Sequence, residues 1–361
     1  MTNMSERLST IEHSMTQSAA RDGVPAKVLH LRNASGMTAS FMDVGATWLS
    51  CLLPLAEGPR EVLLRSPNMT EHTKQGAYFG SVVGRYANRI DKGQFEIGGK
   101  WYQVTCNNGE NALHGGAEGF DKRRWCIDSH TESTLVFSLL SEDGDQGFPG
   151  NARIQVEYHL SDDNALTIRY QASCDQTSPM NLTNHAYFNL AGESSSAKST
   201  GHHLQIYADS YLPTRNDLIP LGEVKPVDAT SFDFREQKQV GRDFLTDTDQ
   251  QIAGGYDHSF VFDTELINGQ AVVATLVSPE RDVTMEVLTT KPAMQVYSGN
   301  FLNDAPGVSQ AYANLHGIAL ETQYFPDGPN HPEWQGRNGM LELDEVYQHH
   351  TVYRFNFSSL A

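Results

Sequence analysis

The run Arg153-Ile154-Gln155-Val156-Glu157-Tyr158-His159-Leu160 is followed by Asp162-Asp163-Asn164 and then by Leu166-Thr167-Ile168-Arg169-Tyr170-Gln171-Ala172. Ile154, Val156, Tyr158 and Leu160 alternate with polar residues, and Leu166, Ile168 and Tyr170 resume the alternation after the turn. A repeat of two places apolar side chains on one face of a pleated strand, so this stretch reads as a half-buried antiparallel hairpin. Working outward, Leu135 to Leu140 and Val283, Met285 and Val287 read as further strands, and Val352, Tyr353, Phe355 and Phe357 as a closing one. Met37 to Val44 and Glu61 to Leu64 read the same way near the other end. Gly98-Gly99 between Gln94–Ile97 and Lys100–Val104 marks a tight hairpin, because both central positions of a primed turn need positive φ. No segment carries a long apolar stripe of helical period, and no fixed-length repeat is present. Many short strands with turn signals between them predict an all-β sandwich.

The chain has 361 residues and a formal net charge of −18, from 26 basic and 44 acidic side chains. Length alone would suggest two domains, but all-β architectures often run longer as one unit. The acidic balance argues against nucleic acid and against anionic membrane as partners. Cys51, Cys106, Cys126 and Cys174 lie far apart with no Cys-x-x-Cys spacing, so free thiols in a reducing, cytoplasmic setting are expected. Residues 1–23 hold no apolar run long enough for a signal peptide or a membrane span. They are expected to form a flexible N-terminal extension or a short helix, dispensable for chemistry. Ala191 to Gly201 reads as a surface loop, and a short helix is expected around Val240 to Phe244.

Several polar stretches carry candidate chemistry. Gly84-Arg85-Tyr86-Ala87-Asn88-Arg89-Ile90 packs two arginines and an asparagine into one short run, and Asn111-Ala112-Leu113-His114-Gly115-Gly116 sets a histidine before two glycines. Backbone can approach closely there and nothing crowds the imidazole. His185 lies in an asparagine-rich run, Asp257 follows Gly254-Gly255-Tyr256, and Gln295 alternates with bulky residues. Glu321 ends an apolar Gly-Ile-Ala-Leu run, where partial burial would raise its pKa and make it a better base. Each also has a plainer reading: His114 as a turn residue, Asp257 likewise, Gln295 as a strand-edge partner, Asn184 and His185 as a buried polar pair. The adjacent pairs His202-His203 and His349-His350 point to opposite strand faces and receive no role.

Taken together, Gly84 to Ile90, Asn111 to Gly116, Gly119-Phe120-Asp121, Pro179 to Leu190, Gly254 to His258, Gln295 to Phe301 and Ala319 to Asp327 resemble the aldose 1-epimerase, or galactose mutarotase, family. The resemblance implies a large, mostly antiparallel β-sandwich, one domain over residues 24–361, with an open cleft for small aldose sugars. By position, it makes Glu321 the general base, His185 the general acid and His114 a second active-site histidine near the ring oxygen. It makes Arg89, Asp257 and Gln295 holders of the sugar hydroxyls, with Asn88 beside them. No cofactor and no metal are expected, and the oligomeric state is a monomer or a homodimer.

The reaction fits such an inventory. Interconverting α and β anomers takes the C1 hydroxyl proton, protonates the ring oxygen, lets the aldehyde end rotate and then reverses the steps. A Glu and a His form a natural acid–base pair near neutral pH. Competing readings are a glycoside hydrolase using Asp257 and Glu321, a non-catalytic sugar-binding sandwich, and a metal site built from His114, His185 and Glu321. A sugar-phosphate epimerase would want more clustered basic charge than this acidic chain offers.

Overall fold

The structure, a computed structural model, describes residues 4–358. The hairpin that opened the sequence reading pairs Ala152–Leu160 with Ala165–Cys174. Its apolar positions face each other in register, Val156 opposite Tyr170 and Tyr158 opposite Ile168, and all four are buried. The hairpin belongs to a nine-stranded antiparallel sheet. In spatial order its strands are Cys126–His130, Thr134–Ser141, Ala152–Leu160, Ala165–Cys174, Tyr347–Phe357, Val283–Thr289, Val272–Val277, His203–Ile206 and Lys238–Gln239.

A six-stranded sheet packs against it, in the order Tyr187–Phe188, Ile318–Gln323, Ala293–Tyr297, Asp257–Val261, Ser210–Tyr211 and Lys225–Pro226. The two sheets meet along Tyr347–Phe357. Tyr353 Oη donates to the Leu320 carbonyl at 2.8 Å, and the Thr322 and Thr351 hydroxyls lie 2.5 Å apart. A third sheet, Val28–Arg32, Thr38–Met42, Thr47–Leu55 and Gly58–Glu61, brings Trp48 to the same seam. The Trp48 ring sits 5.8 Å from both Phe188 and Tyr353, so three sheets share one aromatic knot. The result is a large antiparallel β-sandwich whose core is continuous across its sheets.

Gly98 (φ 58°) and Gly99 (φ 84°) take the positive φ that the Gly98-Gly99 turn demanded. Other expectations need correction. Of residues 1–23, expected to form a flexible extension or a short helix, residues 1–3 lie outside the described residues, and Met4–Thr16 forms a helix. Ile11 and Met15, one turn apart, are buried in a cluster with Met42, Val44, Leu49 and Met69. This i, i+4 pair is enough to dock a short helix, so the segment is a packed element rather than a free tail. The helix expected at Val240 to Phe244 lies instead at Thr248–Ala253, stopped by Gly254 in the left-handed region (φ 70°). The loop at 191–201 is not wholly a surface feature, since Glu193 is buried and accepts from the Tyr312 hydroxyl at 2.7 Å. All four cysteines are free. Among the described residues no helix is long and apolar enough to cross a membrane.

The docked helix makes a testable demand. Ile11→Ala should lower stability by about 2–5 kcal/mol, the usual range for truncating a buried Ile, while leaving kcat/KM within about twofold because the cleft is built elsewhere. Urea unfolding alongside a polarimetric assay checks both; an unchanged unfolding midpoint would mean the helix contributes nothing to the sandwich.

Candidate functional site

Cross-strand register in the six-stranded sheet assembles one wall of the site. Glu321 pairs opposite Gln295, and Gln295 opposite Ser259. Asp257 stands two residues before Ser259 on its strand, hence on the same face. Gln295 Nε2 donates to Asp257 Oδ1 at 2.6 Å, while its Oε1 accepts from the Ser259 hydroxyl at 2.5 Å. The carbonyl and amide of Gln295 are thus both engaged, fixing its orientation and that of Asp257.

His185 arrives from the neighbouring segment. Thr183–Asn184 pairs with Val82–Val83, and Tyr187–Phe188 pairs with Ile318–Ala319, so His185 is held between two short ladders. Its Nε2 lies 3.5 Å from Glu321 Oε1, with both side chains buried. Glu321 Oε2 and His185 Nδ1 are buried without a hydrogen-bond partner. Burial pushes the Glu321 carboxyl well up, the Asp257 carboxylate adds to this, and the Arg89 guanidinium opposes it. Burial likewise pulls His185 down to about 4. Buried as they are, both groups favour their neutral forms.

His114 forms the facing wall, on a turn whose backbone takes φ 51°. The Asn88 backbone N–H donates to His114 Nδ1 at 3.1 Å, and the His114 N–H donates back to the Asn88 carbonyl at 3.0 Å. With Nδ1 accepting, the neutral ring carries its proton on Nε2. Burial, with His185 and Arg89 nearby, holds the imidazole well below its usual range, so it stays neutral. The His114 and His185 ring centroids are 5.2 Å apart. Gly115 explains the two glycines, since a Cβ there would sit 1.9 Å from the Gly84 carbonyl oxygen. Asn88, itself at φ 64°, also accepts the Arg89 backbone N–H on Oδ1 at 2.8 Å, and Arg89 Nε donates to Asn108 Oδ1 at 3.1 Å. Much of what Asn88 does is therefore to orient its neighbours.

These residues line a cleft of about 490 Å³ that contains all seven candidates: Asn88, Arg89, His114, His185, Asp257, Gln295 and Glu321. Tyr78, Asn108, Tyr187 and Tyr297 line it too and were not singled out from the sequence. The period-two rule could have found Tyr187 and Tyr297, which follow His185 and Gln295 by two. Tyr78, stacked 5.7 Å from His185 and edge-on 4.6 Å from His114, sits in a run with no pattern to betray it. Potential ligand atoms of His114, His185 and Glu321 all lie within 4.8 Å of one another, so these three could also converge on a divalent cation.

The fold and cleft define a large antiparallel sandwich with a polar opening of monosaccharide scale. A profile of the family described as Aldose 1-epimerase matches residues 27–354. The chain is 44% identical over 342 residues to the Aldose 1-epimerase of Escherichia coli K12, covering 94% of this chain and 98% of that one. It is 46% identical over 337 residues to that of Haemophilus influenzae, covering 93% and 97%. The crystal structure of an aldose epimerase homologue from C. elegans superposes with a TM-score of 0.83 at 29% identity, covering 92% and 100%. The chain belongs to the aldose 1-epimerase family.

Two outcomes follow from this geometry. Asn88→Val places a β-branched residue at positive φ and should cost about 1–3 kcal/mol, with activity falling as His114 loses its seat. Asn88→Gly keeps the turn and should retain far more of both, and equal losses in the two variants would show that the Asn88 side chain, not its backbone, matters. The second concerns pH. His72, His185, His202 and His258 are all buried and pulled down to about 4 by desolvation. Their folded values lie below the ordinary one, so the stability they contribute is full above pH 6.5 and is lost as pH falls through about 4. His202 shows the cause, since its Nε2 accepts the Leu190 N–H at 3.0 Å and protonation would forfeit that bond. Because the raised carboxyls of Glu61, Asp121 and Glu321 act in the opposite direction, the check compares Tm between pH 7 and 4.5 for the wild type and His202→Gln; the same slope in both would refute neutral burial of His202.

Proposed function

We propose that this aldose 1-epimerase interconverts anomers of aldohexoses such as galactose and glucose with Glu321 as general base and His185 as general acid. In the sugar complex the pair holds one proton as Glu321 carboxylate and His185 imidazolium. Glu321 takes the proton of the C1 hydroxyl, His185 gives its proton to the ring oxygen, and the C1–ring oxygen bond breaks. The open-chain aldehyde rotates about C1–C2, and the same transfers run backwards on the other face. The single observation that carries this reading is the 3.5 Å approach of His185 Nε2 to Glu321 Oε1 in a buried site.

Burial gives the step a direction. Ring opening converts a buried carboxylate and imidazolium into a neutral acid and a neutral imidazole, the forms that desolvation favours. His114, neutral with its proton on Nε2, supplies a second fixed donor for the ring oxygen. Arg89, Asp257 and Gln295 hold hydroxyls, and Asn88 keeps His114 and Arg89 in place. Free cysteines and the acidic charge support a cytoplasmic protein whose partners are small aldose sugars.

Polarimetry on freshly dissolved α-D-galactose and α-D-glucose, with chelator present, tests the acid–base reading. Activity abolished by chelation and restored by zinc or iron would replace it with the metal reading. Glu321→Gln and His185→Asn should each lower kcat by roughly 10²–10⁴-fold with sugar still bound, and their combination should cost far less than the product because the two act as a unit. Arg89→Ala and Asp257→Ala should act mainly on KM. A Glu321→Gln enzyme keeping more than about a tenth of wild-type kcat would remove Glu321 from the base role and bring Asp257 forward.

A further inference from the structure

Among the described residues no hydrogen bond reaches the buried Nδ1 of His185. Glu321 Oε1 approaches the other nitrogen at 3.5 Å, beyond ordinary hydrogen-bond length. Polar contacts therefore leave the plane of this imidazole loosely defined, and its surroundings are aromatic instead. The ring centroid lies 4.9 Å from Tyr187, 5.2 Å from His114 and 5.7 Å from Tyr78, which is tilted to it by only 23°. Tyr78 also meets His114 edge-on at 4.6 Å, so one tyrosine and two histidines close a triangle of rings at the wall of the cleft.

Tyr78 is held there against its backbone preference. Its φ of 58° is unfavourable for a bulky side chain, and such conformations persist where the surrounding structure enforces them. The turn that enforces it is tied to His185 itself. Ser81 N–H donates to the Tyr78 carbonyl at 3.0 Å, Gly80 N–H to the His185 carbonyl at 2.9 Å, and His185 N–H back to the Ser81 carbonyl at 2.9 Å. Asn184 Nδ2 donates to the Gly80 carbonyl at 2.6 Å, and Trp48 N–H to the same oxygen at 2.8 Å, which fastens the turn to the sandwich. Phenol ring and imidazole thus ride on one hydrogen-bonded unit. We propose that Tyr78 is a positioning residue for the epimerase reaction, its ring fixing the plane of the His185 imidazole and the spacing between the two histidines. This rests on the acid–base reading, because Tyr78 acts through the acid. A side chain that merely filled the wall would be replaceable by any apolar group of similar reach; one that aligns an imidazole is replaceable only by another flat ring.

Polarimetric kcat and KM for galactose, measured with Tm on Tyr78→Phe, Tyr78→Leu and Tyr78→Asn, test the proposal. Tyr78→Phe keeps the ring and should keep at least about a third of kcat. Tyr78→Leu should lower kcat about 10–100-fold with KM within about threefold, since displacing a reacting group by about 1 Å costs on the order of 10²-fold. Should Tyr78→Leu fold poorly, Tyr78→Asn, which suits a left-handed backbone, should show the same loss while folded; if neither folds, Tyr78 is a structural residue and the proposal is overturned. Beside His185→Asn, Tyr78→Leu should cost less than about threefold, because the ring it aligns is gone. Ile11→Ala serves as the control that loses stability without losing kcat. The proposal is overturned if Tyr78→Leu keeps its kcat, if its loss lies in KM alone, if Tyr78→Phe loses as much, or if the loss persists undiminished beside His185→Asn. His185→Asn by itself scores the acid–base reading. A near wild-type kcat there overturns both readings, whereas a low one beside an unaffected Tyr78→Leu overturns only the positioning role.

Discussion

Everything at the cleft turns on the desolvation of Glu321 beside His185. In water a carboxyl and an imidazole 3.5 Å apart would form an ordinary ion pair at neutral pH. Removed from water, the same two groups are driven toward neutrality, one upward in pKa and one downward. Such a pair shares one proton between two sites and titrates as a unit. The architecture serves this condition: the six-stranded sheet carries Glu321, and two short ladders clamp His185 against it. Asp257, locked by Gln295, keeps a second negative charge near enough to matter.

The two histidines reach similar states by different means. His185 has an orphaned Nδ1 and faces a carboxylate, so its proton count can change during a reaction. His114 has its Nδ1 tied to a backbone N–H, so its tautomer is set by the main chain. In the proposed mechanism one ring exchanges a proton and the other presents one without losing it. The tie depends on the Gly84–Asn88 turn, which Arg85 braces from behind with hydrogen bonds to the carbonyls of Ser141, Pro149 and Gly150. Loops far apart in sequence thus set the protonation of a single imidazole.

The sandwich was legible because period-two alternation is a local signal, and the hairpin at 152–174 shows it without interruption. Cleft-lining candidates were legible where a residue type conflicts with its surroundings, as Glu321 does after Gly-Ile-Ala-Leu and His114 does before two glycines. Pairwise placement was not legible, because nothing along the chain says that residue 185 meets residue 321; that needed the family resemblance. Tyr78 and Asn108 stayed hidden since tyrosine and asparagine suit any loop. That the helix at Met4–Thr16 packs on the sandwich was not legible, because only Ile11 and Met15 dock it and two apolar residues among polar ones make no visible stripe.

The placement of Tyr347–Phe357 has a consequence for how the protein is made. This strand lies in the interior of the nine-stranded sheet, between Ala165–Cys174 and Val283–Thr289, and also meets the six-stranded sheet through Tyr353. Without it the sheet is two separate halves, each with an open, hydrogen-bond-hungry edge. Long-range pairing of this kind is slow, and exposed edges recruit other chains. Closure of the sheet therefore waits on residues 347–357, and a message truncated before codon 347 would yield two half-sheets suited to aggregation and none suited to catalysis.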